Sequence, residues 1–180
     1  AEAFEAWHAE GQVGQQAAER GVQHRPQAFL EGGGDGVVVR GQELVEADDF
    51  ATAQVKINEL QEKKKKMSPY EEAQIWNISG YNYYLQEKYP DAIRSYENVL
   101  RQPELPEALQ QSTLKTLAQL HFTVEDFEKA LDTINRLMAV VTEPAADIFM
   151  LQGQAYFSLN QYENAIGPIR TAIDMYKEQG

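Results

Sequence analysis

The chain has 180 residues, 16 of them Lys or Arg and 28 Asp or Glu, for a formal net charge of -12. That balance argues against a general nucleic-acid binder, because phosphate recognition needs a basic face. With no cysteine, disulfides, thiolate metal sites and cysteine nucleophiles are excluded, and no window approaches the roughly 18 uninterrupted apolar residues of a membrane helix.

The opening "AEAFEAWHAEGQ" has neither the basic start nor the apolar core of a secretion signal. "AEAFEAWHAE" suits one short helix with Phe4 and Trp7 on a face. Residues 1–36 are otherwise rich in glycine and glutamine and close on "GGGDG", which reads as a flexible connector. No strand precedes those glycines and no glycine–lysine pair follows, so they do not form a phosphate-cradling loop. The expectation is a weakly structured N-terminal segment over 1–36 and a helical array over 37–180.

Apolar spacing and capping residues predict helices at about 37–47 and 50–65, 70–86 and 90–101, 107–122 and 126–141, then 146–159 and 162–177. Grouped as pairs, these define units at about 37–67, 70–103, 107–142 and 146–180. "KKKK", Lys63 to Lys66, would close the second helix of the first pair, where cations complement the helix dipole. Pro90 fits a first helical turn, where a missing N–H costs nothing.

Four columns recur in register. "FATA", "YPDA", "FEKA" and "YENA" place alanines at Ala53, Ala92, Ala130 and Ala165, spaced 39, 38 and 35 residues apart. Twelve residues before each alanine stands Gly41, Gly80, Ala118 or Gly153. Large residues flank that small one: Val37, Trp76, Leu114 and Phe149 before it, Leu44, Tyr83, His121 and Tyr156 after it. Four residues beyond each alanine come Ile57, Tyr96, Ile134 and Ile169. A glycine inside a helix costs roughly 1 kcal/mol against alanine, so Gly80 implies a close approach. Gly80 and Ala92 are the expected contact of two antiparallel helices, with Trp76, Tyr83 and Tyr96 filling the space around it.

This period and these columns resemble the tetratricopeptide repeat (TPR), whose helix–turn–helix unit repeats about every 34 residues. "LVEADDFATAQVKINEL", "MSPYEEAQIWNISGYNYY" and "LPEALQQSTLKTLAQLHF" look more particularly like the periplasmic TPR proteins that accompany bacterial TonB-type energy-transducing systems. The resemblance implies an all-α, right-handed TPR superhelix (an α-solenoid) of about four pairs. It also implies a non-enzymatic protein-binding scaffold in the periplasm, with a TonB-type complex as partner. A cytoplasmic TPR adaptor, or a non-catalytic domain of a larger protein, stays open as an alternative.

No catalytic constellation is identifiable. His8, His24 and His121 are far apart in sequence, and His121 lacks a second histidine one turn away, which suits a packed side chain rather than a ligand. No "GxSxG" or "SxxK" arrangement occurs. The acidic pairs Asp48–Asp49, Glu71–Glu72 and Glu125–Asp126 fall at helix starts or turns, where they complement the dipole. Neither a cofactor nor a metal is expected.

In TPR arrays the first helix of each pair lines the concave face, where partners bind. Carried onto this chain, the resemblance nominates Asn77, Tyr81 and Tyr84 on one helix, Lys115, Gln119 and Phe122 on the next, and Met150, Gln154 and Phe157 on the last. Tyr81, Gln119 and Gln154 are the members expected at the surface, and Tyr84, Phe122 and Phe157 serve either as anchors or as packing between repeats. Lys115 is the single cation in these columns, so a clamp for a chaperone's C-terminal carboxylate is not expected. The expected occupant is a protein or peptide, with neither nucleic acid nor direct membrane insertion. The closing helix carries Ile166, Ile169, Ile173 and Met175, more apolar surface than one neighbour buries, which predicts self-association through that end.

Overall fold

A computed structural model describes residues 49–62 and 67–179. The segment 1–36, the predicted helix at 37–47 and "KKKK" all lie outside the described residues. Within them the chain forms seven helices and no strand. They are α1 (Phe50–Glu62), α2 (Pro69–Leu85), α3 (Tyr89–Leu100), α4 (Glu107–Thr123), α5 (Phe127–Val140), α6 (Ala146–Ser158) and α7 (Tyr162–Gln179). The predicted boundaries agree within a few residues. α2–α3, α4–α5 and α6–α7 are complete pairs, and α1 stands where the second helix of an earlier pair is expected.

Several starts have a local cause. Ser68 and Glu71 form a reciprocal capping box on α2: the Glu71 N–H donates to Ser68 Oγ at 3.3 Å and the Ser68 N–H donates to Glu71 Oε2 at 2.7 Å. The Ser68 N–H, and the Ser68 hydroxyl at 2.8 Å, both donate to the Glu71 carboxylate, favour its ionised form and hold Glu71 below its ordinary pKa. Asp49 accepts the Thr52 N–H ahead of α1, and Asp126 accepts the Lys129 N–H ahead of α5. Pro90 lies in the first turn of α3, as its missing N–H requires.

The turn inside each pair is built identically. Glu87, Glu125 and Asn160, each seven residues past the small column, adopt left-handed φ of 57°, 58° and 59°. The N–H of the next residue donates back to the carbonyl five residues upstream: Lys88 to Tyr83 at 2.9 Å, Asp126 to His121 at 2.9 Å and Gln161 to Tyr156 at 2.8 Å. This is a Schellman closure without glycine, and left-handed backbone costs an L residue roughly 1–2 kcal/mol.

The small column sits where the paired helices approach most closely. A Cβ added at Gly80 would lie 2.9 Å from the Tyr96 ring, and one at Gly153 would lie 2.4 Å from Ile169 Cγ1. The three atoms nearest the Cβ added at Gly80 belong to Tyr96, one of the side chains expected to fill the space around Gly80, and Ala92 is fully buried in the same cluster. In the α4–α5 pair Ala118 and Ile134 occupy the same columns, both fully buried. Apolar clusters run between pairs: Ile93 of α3 packs on one that joins Ala92 and Tyr96 to Leu117 and Leu120 of α4, and Leu131 of α5 on one that reaches Ile148 and Ala155 of α6.

The α1–α2 contact differs. Asn82 is fully buried, and its amide donates to Gln54 Oε1 at 3.0 Å and to the Phe50 carbonyl at 3.4 Å. Later pairs hold Leu120 and Ala155 in the Asn82 column, and Ile93, Leu131 and Ile166 in that of Gln54.

Substitutions at the three helical glycines should separate by environment. Gly80→Ala and Gly153→Ala should each destabilise by about 1–3 kcal/mol through overpacking. Gly167, with nothing beyond its chain neighbours near an added Cβ, precedes Pro168, whose ring crowds a preceding Cβ in helical backbone, so alanine there should change stability by no more than about 1 kcal/mol. Thermal melts followed by circular dichroism check all three, and equal shifts at Gly153 and Gly167 would refute the assigned pairing.

Candidate functional site

Spacings of four and three residues put the nominated side chains on one face of each first helix. That face is distinct from the small column, which faces the second helix. On α2, Asn77 is 8% exposed and lies beneath the surface, whereas Tyr81 and Tyr84 are half-buried. On α4, Lys115, Gln119 and Phe122 are all half-buried, as are Met150 and Gln154 on α6. Phe157, at 47%, is the most open of the nine.

The three aromatics of the last column share a local partner. Tyr84 stacks on Tyr89, Phe122 on Phe127 and Phe157 on Tyr162, with ring centroids 6.3, 5.9 and 5.2 Å apart and the rings tilted or edge-on. Each pair joins the end of a first helix to the start of its own second helix, across the left-handed turn. Such pairs contribute roughly 0.5–1.5 kcal/mol beyond burial. Phe122 also packs against the Leu114–Ile134–Leu137 cluster.

Lys115 is ion-paired with Asp147 of α6, which joins two successive first helices across the candidate face. Both side chains are over 40% exposed, so the pair contributes little to stability. One Asp147 oxygen, Oδ1, is buried without a hydrogen-bond partner among the described residues. Gln152 of α6 donates to Asn135 of α5 at 2.9 Å. Asp147 was not nominated from the sequence, although an acid on the helix following a lone cation was a usable signal.

Tyr96 links this face to the interior. Burial pushes its phenol well above the ordinary tyrosine range, with the nearby Tyr81 and Tyr84 phenols adding to the effect. Tyr81 therefore belongs both to the candidate face and to the aromatic group over Gly80.

His121 is a packed residue, 3% exposed, with no hydrogen-bond partner for Nδ1 among the described residues. Desolvation lowers its pKa below the usual imidazole value; Asp126, Glu97 and Asp132 oppose that shift and Lys129 adds to it.

These elements make a solenoid of helix–turn–helix pairs. Residues 115–179 match the family model described as a tetratricopeptide repeat, a stretch running from mid-α4 through α7. No curated protein matches the chain. The α2–α3 pair, upstream of the matched residues, carries the same columns and the same turn. The fold class is all-α, a TPR-type helical-repeat solenoid, and TPR repeats generally mediate protein–protein interaction. Among the described residues no helix is long and apolar enough to cross a membrane.

His121 generates a pH prediction. Its folded pKa lies below the unfolded value of about 6.5, so on acidification the unfolded chain takes up a proton before the folded one. Its contribution to stability is whole above about pH 6.5 and falls as pH drops through that value towards the folded pKa. Melts between pH 7.5 and 5.5 should show declining stability, and His121→Leu should flatten that slope. An unchanged slope would contradict the assignment.

Proposed function

We propose that the chain is a non-enzymatic scaffold that holds a protein segment against the face formed by α2, α4 and α6. The observation that carries this reading is the recurrence of partly exposed aromatic and amide side chains at matching registers on three successive first helices. Tyr81, Gln119 and Gln154 would line the path of the segment, and Tyr84, Phe122, Met150 and Phe157 would flank it. Asn77 lies too deep to touch a partner and acts through packing. Lys115, already paired with Asp147, offers its remaining donor capacity to an acidic or carbonyl group. Amides alternate donor and acceptor, which suits the backbone of an extended peptide, while aromatic faces suit its apolar side chains.

The partner we favour is a component of a TonB-type energy-transducing complex, met in the periplasm. Support for that assignment is the likeness of the three quoted segments to TPR proteins of such systems. The working boundaries are a separate segment over 1–36 and an array over 37–180.

Tyr81→Ala with Gln119→Ala should weaken partner capture by about 2 kcal/mol or more, the scale of an interface hot spot, with helicity largely kept. Tyr96→Ala, between the helices of a pair, should lower the melting temperature first. Affinity would be measured against a protein recovered by pull-down from the source cells. Wild-type binding by the double variant would exclude this face. Capture lost for a partner unrelated to TonB-type systems would keep the face and exclude the assigned complex.

A further inference from the structure

Five of the seven large apolar side chains exposed among the described residues belong to the last pair: Phe157, Tyr162, Ile166, Ile173 and Tyr176. The four on α7 are 53%, 55%, 36% and 46% exposed in that order. At 100° per residue they fall in one stripe about 80° wide along α7. A contiguous apolar stripe of this kind marks an interaction surface.

The repeat itself says what this stripe is shaped to receive. Ile166 holds the column of Ile93 and Leu131, and Ile173 that of Leu100 and Met138. In the earlier pairs these residues pack on apolar clusters that include residues of the next pair. The stripe therefore continues an interface already used twice in the chain, and its complement is a helix. The first helices α4 and α6 already spend their complementary faces on α3 and α5. Among the described residues, the apolar helical face that a second copy has left to offer is α7 itself.

The spacing along α7 is self-complementary. About a two-fold axis between Ile169 and Arg170, Ile166 falls opposite Ile173 of a second copy, and Tyr162 and Glu163 opposite Lys177 and Tyr176. Glu163 and Lys177 then meet near each end with opposite charge. We infer that α7 is an isologous, antiparallel dimer surface, through which two copies of this chain pair. Two-fold dimers are the commonest closed assembly, and their interface is the same patch on both copies. Each copy carries a formal charge of -12, so their mutual repulsion is screened as salt rises and the dimer should tighten.

The absence of cysteine permits a direct test of both pairing and orientation. Sedimentation of the full chain should show a reversible monomer–dimer equilibrium, weakened at least about tenfold by Ile166→Glu, which puts a charge where an isoleucine would be buried. Ile166→Cys and Ile173→Cys would then be oxidised separately and as an equimolar mixture. In the antiparallel dimer the mixture gives the mixed disulfide. Each variant alone stays largely uncoupled, because its two sulfurs lie seven residues apart along the axis, roughly 10 Å at 1.5 Å per residue. A strictly monomeric wild type at high concentration would overturn the proposal and leave the stripe to another occupant. Self-coupling of each variant, equal to that of the mixture, would overturn the antiparallel arrangement.

Discussion

How closely two packed helices can approach is limited by the largest side chain left between their backbones. In this chain that limit is set once per pair, in the column of Gly80, Ala118 and Gly153. At Gly80 the Tyr96 ring occupies the space where a Cβ would stand, and at Gly153 an isoleucine does so. The pair α4–α5 solves the same problem with Ala118 under Ile134. A glycine inside a helix forfeits roughly 1 kcal/mol of propensity, and the close packing it permits must outweigh that loss. The rest follows from this fixed crossing. With the small face turned to the second helix, the adjoining faces of the first helix are committed to the previous pair and to the candidate partner surface.

The turns reinforce that register at a cost. Two of the three left-handed residues in the turns within pairs are glutamates, Glu87 and Glu125. What offsets their strain is repeated in each pair: two backbone hydrogen bonds closing the helix end, and an aromatic pair stacked across the turn. The contact between α1 and α2 uses a different device. The buried Asn82 and the half-buried Gln54 form a polar match where the later pairs are apolar. Among the described residues Asn82 Oδ1 has no hydrogen-bond partner. Replacing Gln54 by an apolar residue would leave the buried Asn82 amide with only its 3.4 Å bond to the Phe50 carbonyl.

Much of the architecture was legible because small-to-large complementarity recurs at a fixed spacing. Gly80, Gly153, Ala92 and Ala165 mark the crossings without reference to anything distant in sequence, and helix boundaries follow from capping residues such as Ser68 and Pro90. The turn residues were less legible, since Glu87 and Glu125 carry none of the usual glycine signal for left-handed backbone. The role of Tyr84, Phe122 and Phe157 was framed as groove or inter-repeat packing, yet each stacks on the first residue of its own second helix. That contact joins positions five residues apart across a turn, which helical periodicity does not relate. On the candidate face, side-chain type and register could be read, but depth could not. Asn77 is buried and Phe157 is open although both belong to the same set, because burial depends on which neighbouring helices overlie each end.

The claim on which the account rests is that Tyr96 dictates the glycine at Gly80. A double-mutant cycle isolates that coupling, with Tyr96→Ile supplying the residue found at this column in the other pairs. Chemical denaturation would be measured for wild type, Gly80→Ala, Tyr96→Ile and the double variant. The account predicts that alanine at Gly80 destabilises more beneath the tyrosine ring than beneath isoleucine, the double variant then matching the Ala118–Ile134 arrangement rather than the tighter Gly153–Ile169 contact. The coupling should be about 1 kcal/mol or more, within the range for residues in contact. Additive effects, agreeing within about 0.5 kcal/mol, would show that the ring does not set the crossing.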